Sequence, residues 1–390
     1  MRRPGAGLPR PLPSARRAPS ALRALLASRR SAAVLALAAA VGGCSTLQYY
    51  GQAIAGQFEI ITRASPVTDE LDDPSLPPAT RARLRQAVAI RDFASRELGL
   101  PDNSSYRRYA DLGRSYVLWN VVAADEFSVK AKESCFPVAG CVAYRGFYAE
   151  SGARDYAAAL ARDGEDVFVY GVPAYSTLGW FSDPLLNTFI AYPPTELARL
   201  LFHELAHQLV YVPGDSAFNE SFAVAVEDEG VRRWIAERGS EADRQAYEAM
   251  QERRRGFNGL VLGYQARLAA LYASGMDRAR MREAKREAFA QMKQSYVALR
   301  ESWHGWSGYD HWFAQDLNNA HLASVATYTQ WVGAFRGMIA RAGGRLPEFY
   351  DAVRALARLD PAKRDAQLTR WERAAASPAG LADGSPAARD

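Results

Sequence analysis

The chain has 390 residues, 48% hydrophobic and 23% charged, the proportions of a folded globular protein rather than a disordered one. Twenty-nine glycines without a period and only three cysteines exclude a collagenous or disulfide-scaffold protein, and the lack of a second long apolar run excludes a polytopic membrane protein. The formal net charge of +5 comes from residues 1–43, which carry eight arginines and no acid; without them 40 basic residues face 43 acidic ones, no footprint for a phosphate backbone, so nucleic acid is not expected as a partner.

Residues 1–30 are rich in Arg and Pro, and Ser31 to Val41 are small or apolar. That core is too short to span a bilayer as a mature helix. It leads into Val41-Gly42-Gly43-Cys44, which resembles the bacterial lipobox. The resemblance implies a signal peptide over 1–43, lipid attached to Cys44, and a membrane anchor at the N-terminus. Serine rather than aspartate follows Cys44; by resemblance to Gram-negative sorting, this implies the outer membrane, facing the periplasm. With Cys44 acylated, Cys135 and Cys141 remain. They bracket a turn-forming Phe-Pro-Val-Ala-Gly and are expected to bridge in an oxidising compartment. Two cysteines with no histidine beside them make a poor zinc site.

Along the mature chain, Leu47 to Ile61 reads as a helix with Tyr49, Tyr50, Ile54, Phe58 and Ile61 near one face,. Residues 64–78, with four prolines, read as loop. Residues 79–98 read as a helix with Leu84, Ala87, Val88, Ala94 and Leu98 on one face and Gly99 as its stop,. Short aromatic or β-branched runs at 115–122, 127–130, 142–148 and 166–171 predict a small, largely antiparallel sheet. From about 195 to 360 the pattern is helical. The stripe Met281, Ala288, Met292, Tyr296, Leu299 and Trp303 is core packing. The expected fold is α+β and mostly α-helical, with a helical entry and sheet part over about 44–194 and a helical part over about 195–375 forming one unit, and a flexible tail over 376–390.

The chemistry concentrates in His203-Glu204-Leu-Ala-His207. At i and i+4 on a helix the two histidines share one face and can hold one metal. Glu204 projects near that face and can take a proton from the water the metal activates. Leu200, Leu201, Leu205 and Leu209 mark a buried helix, where polar groups are costly unless employed. Pro213-Gly214-Asp215 is a turn, and Phe218-Asn219-Glu220-Ser-Phe-Ala223 starts a second helix. His207 stands about one turn before the first helix ends and Glu220 about one turn into the second, so the two are level across an αα-hairpin and Glu220 can be the third ligand. A single zinc ion with an open fourth position suits this set. Asn219 is expected as a cap or a support behind the ligands. Glu227, seven residues past Glu220, is expected to orient a histidine or sit over the cleft.

H-E-L-A-H followed by N-E-S-F-A resembles the gluzincin branch of zinc peptidases, whose third ligand is a Glu in an N-E-x-x-A helix. The gap between His207 and Glu220 is shorter than in the common gluzincins. The wider chain is similar to a bacterial family of putative aminopeptidases, mostly predicted lipoproteins. The matching stretches are Tyr49-Tyr-Gly-Gln-Ala, Gly56-Gln57, Ala139-Gly-Cys-Val-Ala-Tyr-Arg-Gly-Phe147, Tyr175-Ser-Thr-Leu-Gly-Trp-Phe-Ser-Asp-Pro184, the zinc hairpin and Leu317-Asn-Asn-Ala-His-Leu322. The resemblance implies a zincin-like catalytic unit acting on peptides. The G-x-M-E-N loop, by which a large group of zinc aminopeptidases holds the free amine, is absent, so exopeptidase specificity does not carry over.

Peptide hydrolysis also needs a donor to the tetrahedral oxyanion. Tyr328 is the first candidate and His321, seven residues earlier, the second. Asn318 and Asn319 are expected to cap or turn. The loop Gly179–Pro184 either walls the cleft or packs with a buried tryptophan. The strand near Val167 to Tyr170 can pair with an extended peptide. The leading expectation is a lipid-anchored periplasmic zinc peptidase, with aminopeptidase favoured over endopeptidase by resemblance alone. The alternatives are an envelope interaction lipoprotein with a structural or vestigial metal site, and a metal-independent helical scaffold.

Overall fold

The computed structural model describes residues 49–136 and 140–376. The signal segment, Cys44, the tail beyond Ala376 and residues 137–139 of the cysteine turn lie outside them. The chain divides into two units, residues 1–54 and 55–390. Of the first, residues 49–54 are described and are helical. The second carries all the elements that follow.

Its first helix, α1, covers residues 55–63. Ile60 is buried, while Phe58 and Ile61 face outward. Ser65–Pro66 forms β1, and Val67–Asp72 forms a short helix, α2, where the prolines of 64–78 had suggested only loop. Pro66 stands at its N-cap and Asp69 and Glu70 occupy its first turn, where carboxylates complement the helix dipole. Helix α3, Pro78–Leu98, starts with proline at N1 and ends on Gly99, whose φ of 63° is the left-handed cap that glycine adopts freely. Its apolar face is the expected one, extended by Ile90 and Phe93. Arg91 is fully buried in the same helix. Its guanidinium donates to the carbonyls of Pro101, Asn103 and Ser105, which ties the following loop to α3.

The strands are β2 Arg108–Ala110, β3 Leu118–Ala124, β4 Ser134–Phe136, β5 Gly140–Val142, β6 Arg145–Phe147, β7 Asp166–Val172 and β8 Leu185–Leu186. They form sheets ordered β1-β2-β8, β6-β3-β7 and β4-β5. Every pairing is antiparallel except β2 with β8. The residues 127–130 are not a strand. Ser128 N–H closes a turn onto Asp125 C=O, and the Phe127 ring packs on Tyr272 and under Arg278, so its aromatic character serves helix packing and not a ladder. Helix α4, Glu150–Arg162, buries Ala153 and Ala157. Strand alternation puts Trp119 and Phe147 toward α4, where Arg154 and Tyr156 meet them. Val122 and Phe168 face the other way.

The helical part contains α5 Pro194–Leu209, α6 Ser216–Arg238, α7 Glu241–Tyr272, α8 Arg278–Ser302, α9 Asp310–Phe313, α10 Asn319–Thr329, α11 Val332–Arg341, α12 Leu346–Ala357 and α13 Pro361–Ala376. Helices α5 and α6 run through the main core with α3, α11 and α12. A second core joins α7, α8 and α9. Met281, Ala288, Met292, Tyr296 and Trp303 are buried, as the stripe on α8 requires. Ala320 and Ala323 of α10 close over Val122 and Phe168.

Cys135 and Cys141 stand opposite one another in the β4–β5 hairpin and are joined as a disulfide. Gly140 has a φ of 74°, and a Cβ there would lie 2.4 Å from the backbone nitrogen of Gly214. Only glycine lets the hairpin rest on the α5–α6 turn. Among the described residues no helix is long and apolar enough to cross a membrane.

Candidate metal centre

Helix α5 begins at Pro193–Pro194 and buries Leu197, Leu200, Leu201 and Leu205. This fixes its rotation and turns His203 and His207 toward α6. The connecting turn is short and tightly held. Asp215 caps α6 by accepting from Phe218 N–H at 3.0 Å, and Arg364 of α13 grips its other oxygen at 2.8 Å. Asn219 is not the cap. Its side chain accepts from Val212 N–H at 2.7 Å and donates to Val212 C=O at 2.8 Å. It thus holds the turn that sets Glu220, one residue on, against α5.

His203, His207 and Glu220 come together there. His203 Nε2 lies 3.2 Å from Glu220 Oε2 and 3.2 Å from His207 Nε2; His207 Nε2 lies 3.7 Å from Glu220 Oε2. Two ligand atoms each about 2.0–2.1 Å from a tetrahedral zinc stand roughly 3.3 Å apart. The three separations are therefore those of one face of a zinc tetrahedron. The donor set, two imidazole nitrogens and a carboxylate, fits such an ion as well.

Glu227 lies behind this group. It is buried and accepts from His203 Nδ1 at 2.8 Å. That bond puts the proton on Nδ1 and leaves the Nε2 lone pair for a metal. Arg199, one turn before His203 on α5, donates to both Glu227 oxygens at 3.2 Å. Burial disfavours the charge of Glu227, but Arg199 and His203 hold its carboxyl down at about 2. Burial alone would lower the pKa of His203; its hydrogen bonds to Glu220 and Glu227 instead lift it to about 10. The doubly protonated ring also carries a proton on Nε2, toward Glu220, which a metal at this place must displace, so affinity depends on pH. Burial pushes His207 down to about 4, and its Nδ1 is buried without a hydrogen-bond partner among the described residues. The two histidines are thus supported unequally. Burial also opposes the charge of Glu220, yet His207 and His203 hold its carboxyl below the usual range.

Glu204 differs from both other carboxylates. Burial raises it to about 7, and it makes no hydrogen bond or ion pair among the described residues. It is a carboxylate beside the cluster with its proton-accepting oxygens uncommitted.

A group of tyrosines surrounds the acids. Tyr328 on α10 is held well above its usual pKa by burial and by the charge of Glu220, with Glu204 contributing, so its hydroxyl stays protonated. It shares a hydrogen bond with the hydroxyl of Tyr170 on β7. Tyr144 is raised for the same reasons, burial first and then Glu220, and the Tyr211 ring stands 6.5 Å from that of His207. Sequence reasoning missed Arg199, Tyr144 and Tyr170. Arg199, at i−4 from His203, was the one with a readable spacing.

His321 is placed elsewhere. It occupies the third position of α10, with Nδ1 bonded to Asn318. Its ring stacks on Phe168 at 4.0 Å and meets the edge of Trp312. It is not among the side chains that could hold a metal. Asn318 is the N-cap, as paired asparagines suggested, and Asn319 accepts from Tyr272 O–H.

The loop before α5 is fixed by Asp183, which accepts from Thr177 N–H and Oγ1–H at 3.0 and 2.7 Å; burial pushes its carboxyl up to about 6. It does not bury its tryptophan: Trp180 is 73% and Phe181 51% exposed. Its Gly179 lies against Gln208, the neighbour of His207. Gln208 is bonded in turn to Asn103 and Ser105.

The chain matches the family described as putative aminopeptidase over residues 48–368 and belongs to it. Membership points to peptide hydrolysis and peptide substrates. No curated protein and no solved structure matches the chain.

Proposed function

We propose that this protein is a zinc-dependent peptidase of gluzincin type, with a zincin-like catalytic unit, held at the bacterial envelope by lipid on Cys44. The observation that carries the reading is the convergence of three ligand atoms from His203, His207 and Glu220 beside the uncommitted carboxylate of Glu204. Zinc held by those three residues would acidify a water and polarise a peptide carbonyl. Glu204, with a pKa near 7, is suited to hold and release a proton at neutral pH. It takes the proton of the attacking water and passes it to the leaving amine. Glu227 and Arg199 react with nothing; they fix the ring and the protonated nitrogen of His203.

The Tyr328 hydroxyl is the donor to the tetrahedral oxyanion, and Tyr144 is a second protonated hydroxyl beside Glu220. The substrate backbone lies along β7, which is an edge strand of its sheet and carries Tyr170. Aminopeptidase action is favoured by the family. Cleavage of a peptide library read by mass spectrometry tests it: loss of N-terminal residues alone supports an aminopeptidase, internal cuts an endopeptidase, and no cut by zinc-loaded protein a non-catalytic envelope lipoprotein. The anchor has its own test. Cys44→Ala should leave an uncleaved precursor, and normal processing of that variant would remove the lipoprotein reading.

A further inference from the structure

Four large apolar side chains on α1 and on the loop before α5 have no part in the proposed chemistry. Phe58 and Ile61 are 67% and 37% exposed, Trp180 and Phe181 73% and 51%. Phe58 and Ile61 are three apart on a helix and so share a face. Ile61, Trp180 and Phe181 line one cavity of about 350 Å³, so the two elements form one surface. A single exposed apolar residue needs no explanation, but a cluster that is three-quarters aromatic marks a contact site. The cluster is also rigidly presented. Phe181 N–H donates to Thr177 Oγ1 at 3.1 Å, Ser182 and Ser104 share a hydrogen bond at 2.5 Å, and Asp183 locks the base of the loop.

We propose that this surface seats on the lipid bilayer that holds Cys44. The inference rests on the lipid-anchor reading. Its occupant follows from the length of chain outside the described residues. Cys44 precedes Phe58 by fourteen residues, which span at most about 50 Å fully extended and less here, because residues 49–58 are helical,. The anchor therefore keeps α1 close to the membrane surface, and docking becomes an intramolecular event at high effective concentration. Aromatic rings with a polar edge, such as Trp180, suit the headgroup region. Acyl chains combined with a second apolar contact hold more firmly than either alone. Because Gly179 of the same loop lies against Gln208, next to His207, seating the loop sets the orientation of the metal hairpin and brings its cleft to peptide chains at the membrane surface.

The test uses the full-length acylated protein in phosphatidylethanolamine–phosphatidylglycerol vesicles. An environment-sensitive fluorophore is placed through Thr62→Cys, on the exposed face of α1, and in a second sample through Val297→Cys on α8, which is 47% exposed. Thr62 leaves all four apolar side chains intact. The expected result is a blue-shifted label at 62, quenched several-fold more by brominated acyl chains than the label at 297. The added pair Phe58→Ser and Trp180→Ser should abolish that difference while flotation with the vesicles persists. A floating protein whose label at 62 stays aqueous and unquenched overturns the docking and leaves the anchor standing. A protein that does not float overturns the anchor and the docking with it. Quenching that a saturating apolar peptide removes would assign the surface to substrate and also overturn the proposal.

Discussion

The α5–α6 hairpin and helix α10 both carry side chains suited to catalysis, and they use them in different ways. In the hairpin, the two histidines and Glu220 end with their ligand atoms within 4.8 Å of one another. In α10, His321 and Tyr328 share one face and both meet β7, at Phe168 and at Tyr170, yet they serve different ends. Tyr328 is near enough to Glu220 for its charge to hold the hydroxyl protonated, while His321 is absorbed into the helix start and a stack on Phe168. The hairpin is fixed by local rules: helix rise, i to i+4 spacing and a short turn pinned by Asp215 and Asn219. Helix α10 is placed by what it covers, the β3–β7 face; its seven-residue spacing puts both side chains on that face but does not say which of them lies near the acids.

The contrast breaks first at the ligands. The wild-type chain should bind about one zinc per molecule, and His203→Ala, His207→Ala and Glu220→Ala should each lose it, together with stability, since the remaining buried partners are left unmatched. Metal analysis after gel filtration reads this directly, and full zinc in Glu220→Ala would move the third ligand elsewhere.

On α10 the effects should separate. Tyr328→Phe should keep its zinc and lower kcat by roughly 10²–10³-fold, the usual cost of one oxyanion donor. An unchanged kcat would hand the role to Tyr144. Behind the metal, Glu227→Gln should leave catalysis possible but weaken zinc by about 10–100-fold, as loss of a carboxylate behind a histidine ligand does. A chelator titration checks it.

The smallest effect is on acid stability. Burial pushes His321 down to about 3 from its ordinary 6.5, with Lys293 adding to it. Between those values the unfolded chain binds the extra proton. The contribution is complete above pH 6.5 and is lost as the pH falls toward 3. His321→Gln should therefore flatten the fall in stability of zinc-free protein between pH 7 and pH 4, read by urea unfolding. An equally steep fall would place the titrating group elsewhere.

The same distinction explains what the sequence made legible. α3 announced itself through its apolar face from Leu84 to Leu98 and Gly99 at its end. The convergence of His203, His207 and Glu220 followed from spacing within one hairpin, and the Cys135–Cys141 bridge from a turn between two cysteines. Helix α4 was missed because its buried face is Ala153 and Ala157, too small to stand out in a hydrophobic pattern. Phe127 misled because aromatic residues serve strands and helix packing alike. Arg199 and the tyrosines beside Glu220 come from different elements, and only tertiary packing brings them to the site. The outward face of α1 and the exposed Trp180 were also hidden, since an apolar pattern does not say which side it faces.

The central claim is that Glu204 moves the proton while Glu220 holds the metal. Zinc content and peptide cleavage rate, measured together on Glu204→Gln, test it most directly. The variant keeps the size of the side chain but cannot accept a proton. The account predicts wild-type zinc, about one per chain, with turnover reduced by several orders of magnitude. Cleavage by Glu204→Gln at the wild-type rate would contradict it.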